Sequence, residues 1–181
     1  MTRRLRFARW RCSAALLLLS ACLLPSCGYH VAGRGSNLPP DVKTVAVPIF
    51  TNNSRQYRIE QRMSAAVIRE LIERTHYKVT SDPEQADAVI QGTVKSVTTG
   101  VIAFNISTGA ATALQVVVSA DVRMIDRHTQ KVLFANPKYV FREEYQVSQS
   151  NSQLFEEQEP ALNRVAQDFA RTLVNDILEN Y

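Results

Sequence analysis

The chain has 181 residues, of which 45% are hydrophobic and 21% charged. This composition excludes a low-complexity protein and leaves room for one domain of ordinary size beside an export segment. The formal charge of +4 misleads, because five arginines (Arg3, Arg4, Arg6, Arg9, Arg11) open the chain; without residues 1–26, 21 − 5 = 16 basic side chains face 17 acidic ones, a net of −1. A near-neutral domain exerts little long-range pull on phosphate backbones, so a nucleic-acid partner is disfavoured.

The arginines are followed by an apolar run from Ser13 to Leu24. A basic stretch and then about 12 apolar residues has the form of an export signal and is too short to span a bilayer as a helix. All three cysteines, Cys12, Cys22 and Cys27, lie within the first 27 residues. Processing after Ser26 would leave Cys27 at the N-terminus with no intrachain disulfide partner. Leu24-Pro25-Ser26-Cys27 resembles the bacterial lipobox, in which a small residue precedes the cysteine that receives diacylglycerol. Leu19-Ser20-Ala21-Cys22 fits that motif better, but cleavage there leaves an apolar run of only about seven residues. Cys27 is therefore the expected lipid attachment site and Cys22 the alternative. Gly28, rather than Asp, follows Cys27, which favours the outer membrane. The expected division is a lipoprotein signal peptide at 1–26, a lipidated tether at 27–40 and a periplasmic α/β domain at 41–181.

Beyond the Gly- and Pro-containing tether, the β-branched run Val42–Phe50 predicts a strand whose end Pro48 places at an edge or bulge. Thr51-Asn52-Asn53-Ser54 offers helix caps, and Ile59, Met63, Ala66, Val67, Leu71 and Ile72 recur at helical spacing. Tyr77–Thr80 predicts a short strand, and Ser81-Asp82-Pro83-Glu84 a capped turn. Ala88–Thr98 alternates as a strand. The small-residue segment Gly100–Ala113 reads as an exposed loop or a hairpin tip. Leu114–Ile125 predicts a long strand, Asp126-Arg127-His128-Thr129 a turn, and Lys131–Ala135 and Tyr139–Val147 two further pieces divided by Asn136-Pro137. Leu162, Val165, Ala166, Phe169, Leu173, Ile177 and Leu178 form a closing helical stripe, with Pro160 in its first turn or inside a helix that starts near Gln153. The expected fold is an α+β two-layer sandwich, two helices on one face of a mostly antiparallel, about four-stranded sheet.

No reactive constellation stands out in the sequence. His30, His76 and His128 lie far apart and at no metal-ligand spacing with another His or Cys. His76 borders a helix end and His128 a turn. Glu143 and Glu144 are adjacent, so strand alternation sends them to opposite faces and they do not form a paired-carboxylate site. No serine stands in a G-x-S-x-G elbow. The reading is a non-enzyme without cofactor or metal.

Cys27-Gly28-Tyr29-His30 resembles the start of the mature LPS-assembly lipoproteins of the outer membrane, the LptE family. The likeness continues through Leu38–Pro48, the helix from Arg58, Ala86–Gly92 and the closing helix, and so covers nearly the whole mature chain. The resemblance implies a non-catalytic protein that binds a large outer-membrane β-barrel, plugs its lumen, assists its assembly and helps deliver LPS to the cell surface. It also implies a two-helix, four-stranded fold and, for some relatives, direct LPS binding. One departure concerns charge. No basic residue lies between Lys95 and Arg123 or between Arg142 and Arg164, so Lys95, Arg123, Lys138 and Arg142 are the remaining candidates for LPS phosphates, against the simpler reading of solvated sheet residues. The apolar segment around Ile102, Phe104 and Ile106 is the candidate barrel contact; the alternative is a hairpin whose apolar side covers the core. The rival function is another outer-membrane lipoprotein, a cofactor of a peptidoglycan synthase or of a secretion channel.

Overall fold

The structure, a computed structural model, describes residues 39, 41–147 and 153–179, with the side chains of 153–157 left out. The export signal, Cys22, Cys27, His30 and nearly all of the tether lie outside the described residues.

Strand β1 (Thr44–Ala46) leads through Pro48 to the two-residue β2 (Thr51–Asn52), then to helix α1 (Ile59–Arg74) and β3 (Lys78–Thr80). A short 3-10 turn at Pro83–Gln85 precedes three long strands, β4 (Ala88–Phe104), β5 (Ala111–Asp126) and β6 (Val132–Gln146), and the closing helix α2 (Gln153–Glu179). The sheet order is β3-β1-β4-β5-β6, with β2 also paired to β4, so the described sheet has six strands. It is mixed. β1 runs parallel to β3 and β4, and β2 parallel to β4, while β4, β5 and β6 form an antiparallel meander.

The two-layer α+β sandwich is present, but the expected mostly antiparallel, about four-stranded sheet is corrected to a larger mixed one. Helix α1 is the reason. It carries the chain from β1 back to a parallel neighbour, β3, as a crossover must. The strand expected over Val42–Phe50 is shorter, Thr44–Ala46, and the chain pairs again only beyond Phe50, Thr51 opposite Thr93 and Asn52 opposite Val94.

The expected helix caps at 51–54 are also corrected. Asn52 Oδ1 accepts from Ser54 N and Ser54 Oγ, and its Nδ2 donates to Gln56 O and Glu60 Oε2. These bonds build a turn, and the helix starts later, after Arg58 at φ 56° with no side-chain cap. By contrast, Asp82 caps its turn as expected, accepting from Glu84 N at 2.9 Å with Pro83 just inside.

The core lies between the sheet and the two helices. Phe50, Phe141 and Tyr139 all meet Phe169 of α2 edge-on, with ring centroids 5.7–6.1 Å apart. Phe50 lies across Gly92, where a Cβ would approach its ring to 2.6 Å. Ser64, the buried polar residue of α1, accepts from Phe50 N at 2.9 Å and donates to Glu60 O at 2.8 Å. The α1 stripe is buried except for Ile72, which is 61% exposed and so corrects that position. All seven stripe residues of α2 are buried or packed on the core, and Pro160 sits inside the helix. Arg62 donates to Asn163 and Arg74 to Asn175, twelve residues apart on both helices, so α1 and α2 run parallel side by side.

Candidate functional site

The β4–β5 hairpin reaches the margin of the core, where Ala111 and Leu114 still pack against it, and its tip lies beyond. The segment left open between loop and hairpin tip is a hairpin: strand pairing runs to Ala103–Ala113 and Phe104–Ala111. Its tip is closed by Asn105, whose N–H donates to Ala110 O and whose C=O accepts from Gly109 N, both at 2.8 Å. The side-chain Oδ1 of Asn105 accepts from Ser107 N and Thr108 N. Gly109, at φ +67°, takes a left-handed conformation that strains other residues. This geometry turns Ile102, Phe104 and Ile106 to solvent, at 46%, 61% and 101% exposure. They do not cover the core.

The region lacks Lys and Arg and holds no acidic residue either: from Ser96 to Ala120 there is no charged side chain. A projecting hairpin that is exposed, apolar at its tip and free of charge has the surface of a region made to be covered. The signal was available as a count of both charge signs.

The four basic candidates share the open face of the sheet, opposite the helices. Lys95 sits at a β-bulge, and its Nζ lies 3.0 Å from Pro137 O and 3.2 Å from Asp121 Oδ2. Arg123 donates from Nε to Gln91 Oε1 at 3.0 Å. Lys95 and Arg123 therefore have partners within the domain. Lys138 and Arg142 follow on β6 and make no side-chain bond among the described residues. The candidates form two partnered and two unpartnered positions along the face, not one phosphate-binding cluster. An open groove of about 720 Å³ is lined by Pro48, Ile49, Gln91, Asp121, Arg123 and Pro137. Its polar groups are largely those already bonded to one another.

The remaining titratable groups do structural work. Asp87 Oδ2 accepts from Lys43 N and Thr44 N at 2.9 and 2.8 Å, which holds its carboxyl below the usual carboxylate range. His128, the expected solvated turn residue, is exposed but also lies 3.4 Å from Asp87 Oδ1. Tyr139 is pushed far above the usual phenol range by burial and by its 2.6 Å bond to Asp176. Glu143 and Glu144 lie on opposite faces, Glu143 paired with Arg164 of α2 and Glu144 beside Gln115. Among the described residues no three His, Cys, Asp or Glu side chains are grouped to hold a metal, and no helix is long and apolar enough to cross a membrane.

The model of the family described as LptE, lipopolysaccharide-assembly, matches residues 42–177. The chain belongs to the LptE family. The match spans every strand, α1 and all but the last two residues of α2, so family membership rests on the domain and not on the Cys27–His30 tetrad. No curated protein matches the chain. Among solved structures it is similar to the uncharacterized lipoprotein B of Nitrosomonas europaea, with 15% identity, 80% of this chain and 90% of that one covered, and a TM-score of 0.49. It is likewise similar to the PelC dodecamer of Paraburkholderia phytofirmans, at 15% identity over 75% and 87% of the two chains with a TM-score of 0.49. Lipoprotein GNA1162 of Neisseria meningitidis gives 18% identity, 73% and 98% coverage and a TM-score of 0.42. Likenesses this distant say nothing of what the chain does.

Proposed function

We propose that this LptE-family chain is a non-enzymatic outer-membrane lipoprotein that seats in a β-barrel LPS translocon, plugging it, assisting its assembly and helping deliver LPS to the cell surface. Residues 1–26 act as the signal, and acyl chains on Cys27 anchor the mature protein on the periplasmic face, the tether to residue 40 giving the domain reach. Two or more chains on one cysteine give stable anchoring where a single chain does not. Anchoring also keeps the domain beside its barrel at high effective concentration.

The observation that carries this reading is the hairpin. Its tip exposes Ile102, Phe104 and Ile106 on a stretch without charge. Inside a barrel lumen such a finger buries apolar surface without desolvating an ion, the costly part of most interfaces. Direct contact with LPS phosphates falls to Lys138 and Arg142, since Lys95 and Arg123 would first have to exchange Asp121 and Gln91.

Affinity purification of the full chain from detergent-solubilised envelopes tests the reading. A large β-barrel protein is the expected stoichiometric companion; a peptidoglycan synthase or a secretion-channel ring in its place sinks it. Phe104→Asp is expected to lower barrel recovery while the domain stays folded. Depletion should reduce surface LPS, and an unacylated Cys27 in mass spectra of the mature N-terminus would remove the anchor.

A further inference from the structure

The outer edge of the sheet is the long strand β6, which pairs with β5 on one side and with no described strand on the other. Val147 N donates to Thr112 O at 3.0 Å, which marks 112–147 as a hydrogen-bonded pair. Antiparallel alternation then turns the backbone groups of Tyr139, Phe141, Glu143 and Tyr145 towards β5. Those of Lys138, Val140, Arg142, Glu144 and Gln146 point outward. Such an edge is a template for another strand. Helix α2 does not block it, because its ties to β6, Tyr139–Asp176 and Glu143–Arg164, lie on the core face.

We propose that β6 pairs antiparallel with β6 of a second copy of this chain about a two-fold axis at Phe141, joining two sheets into one. The side chains favour that register over those centred on Val140, Arg142, Glu143 or Glu144. Centring the axis on Arg142 or Glu144 sets like charges face to face, centring on Glu143 opposes the two Glu143 carboxylates, and centring on Val140 opposes Lys138 and Arg142. With Phe141 at the axis, Lys138 lies opposite Glu144 of the second copy, twice by symmetry, and Val140 opposite Arg142. Phe141 meets Phe141, and Glu143 faces Tyr139. No like charges meet in this register, and it covers Val140, an exposed apolar residue on the open face of the edge strand. The outermost pair keeps one of its two backbone bonds, since Lys138 N already donates to Asn136 Oδ1 at 3.0 Å. Barrel binding is not needed for this association.

Sedimentation of the purified full chain in detergent across the micromolar range tests the proposal, with circular dichroism to verify folding. The wild type should dimerise reversibly. Lys138→Glu and Glu144→Lys should each weaken the dimer about tenfold, from two attractions turned repulsive, and the double exchange should restore it. Val140→Pro removes an outward N–H without touching the bonds to β5, and should abolish the dimer while leaving the fold intact. A wild type monomeric at every concentration overturns the proposal. So does a dimer indifferent to both single exchanges, or a double exchange that fails to recover.

Discussion

The sheet has two halves that obey different rules. Where α1 and α2 cover it, large apolar side chains such as Met63, Ile90 and Phe169 are fully buried, and Ser64 and Tyr139 are hydrogen-bonded. Past the helices, the β4–β5 hairpin keeps its strand ladder but shows Ile102, Phe104 and Ile106 to solvent. The first half supplies stability, and the second has apolar surface to spare for a partner. Mutations should therefore separate into those that unfold the domain and those that leave it folded but alone.

The largest stability loss is expected from Phe169→Ala, which empties the centre of the aromatic cluster and should cost about 3–5 kcal/mol in urea unfolding. Gly92→Ala places a methyl group against the buried Phe50 ring, for a loss of about 1–3 kcal/mol in the same measurement. Ser64→Ala strands the buried Phe50 N–H and should cost about 1–3 kcal/mol, with faster amide exchange at Phe50 as its local signature. Acid acts through Asp87. Its folded pKa is lowered, so its contribution is complete above the ordinary carboxylate pKa and is lost as pH falls through the lower folded value. Asp87→Asn should flatten the acid limb of a melting-temperature profile, chiefly below about pH 4. The smallest stability effect belongs to Phe104→Asp, within about 0.5 kcal/mol of wild type, although its effect on barrel recovery should be the largest of the set. A large unfolding penalty there would erase the contrast between the halves.

Much of this arrangement was legible in order. The stripes of α1 and α2, the Asp82–Pro83 turn, the Asp126–Thr129 turn and the opposite faces of Glu143 and Glu144 all follow from local periodicity and turn chemistry, which act over a few residues. The misreadings share a cause. Asn136-Pro137 looked like a break, yet β6 runs through it with a register shift against Ala120–Val122. The polar run at 51–54 looked like a cap, yet Thr51 and Asn52 pair with Thr93 and Val94. Ile72 belongs to the apolar stripe by spacing and falls outside the contact between helix and sheet. Partners distant in sequence settled each case. The candidate site was legible in kind, as an apolar segment without Lys or Arg. Its exposure was not, because nothing local says how far the helices reach along the sheet.

By itself the sequence determined the two amphipathic helices and the family resemblance, because each is written in neighbouring residues or in their spacing. Only the tertiary structure decided that the sheet is mixed, that Lys95 and Arg123 have partners while Lys138 and Arg142 make no side-chain bond among the described residues, and that β6 lies at the edge. Those outcomes depend on which strand lies beside which, and strand neighbours are chosen by burial across the whole domain.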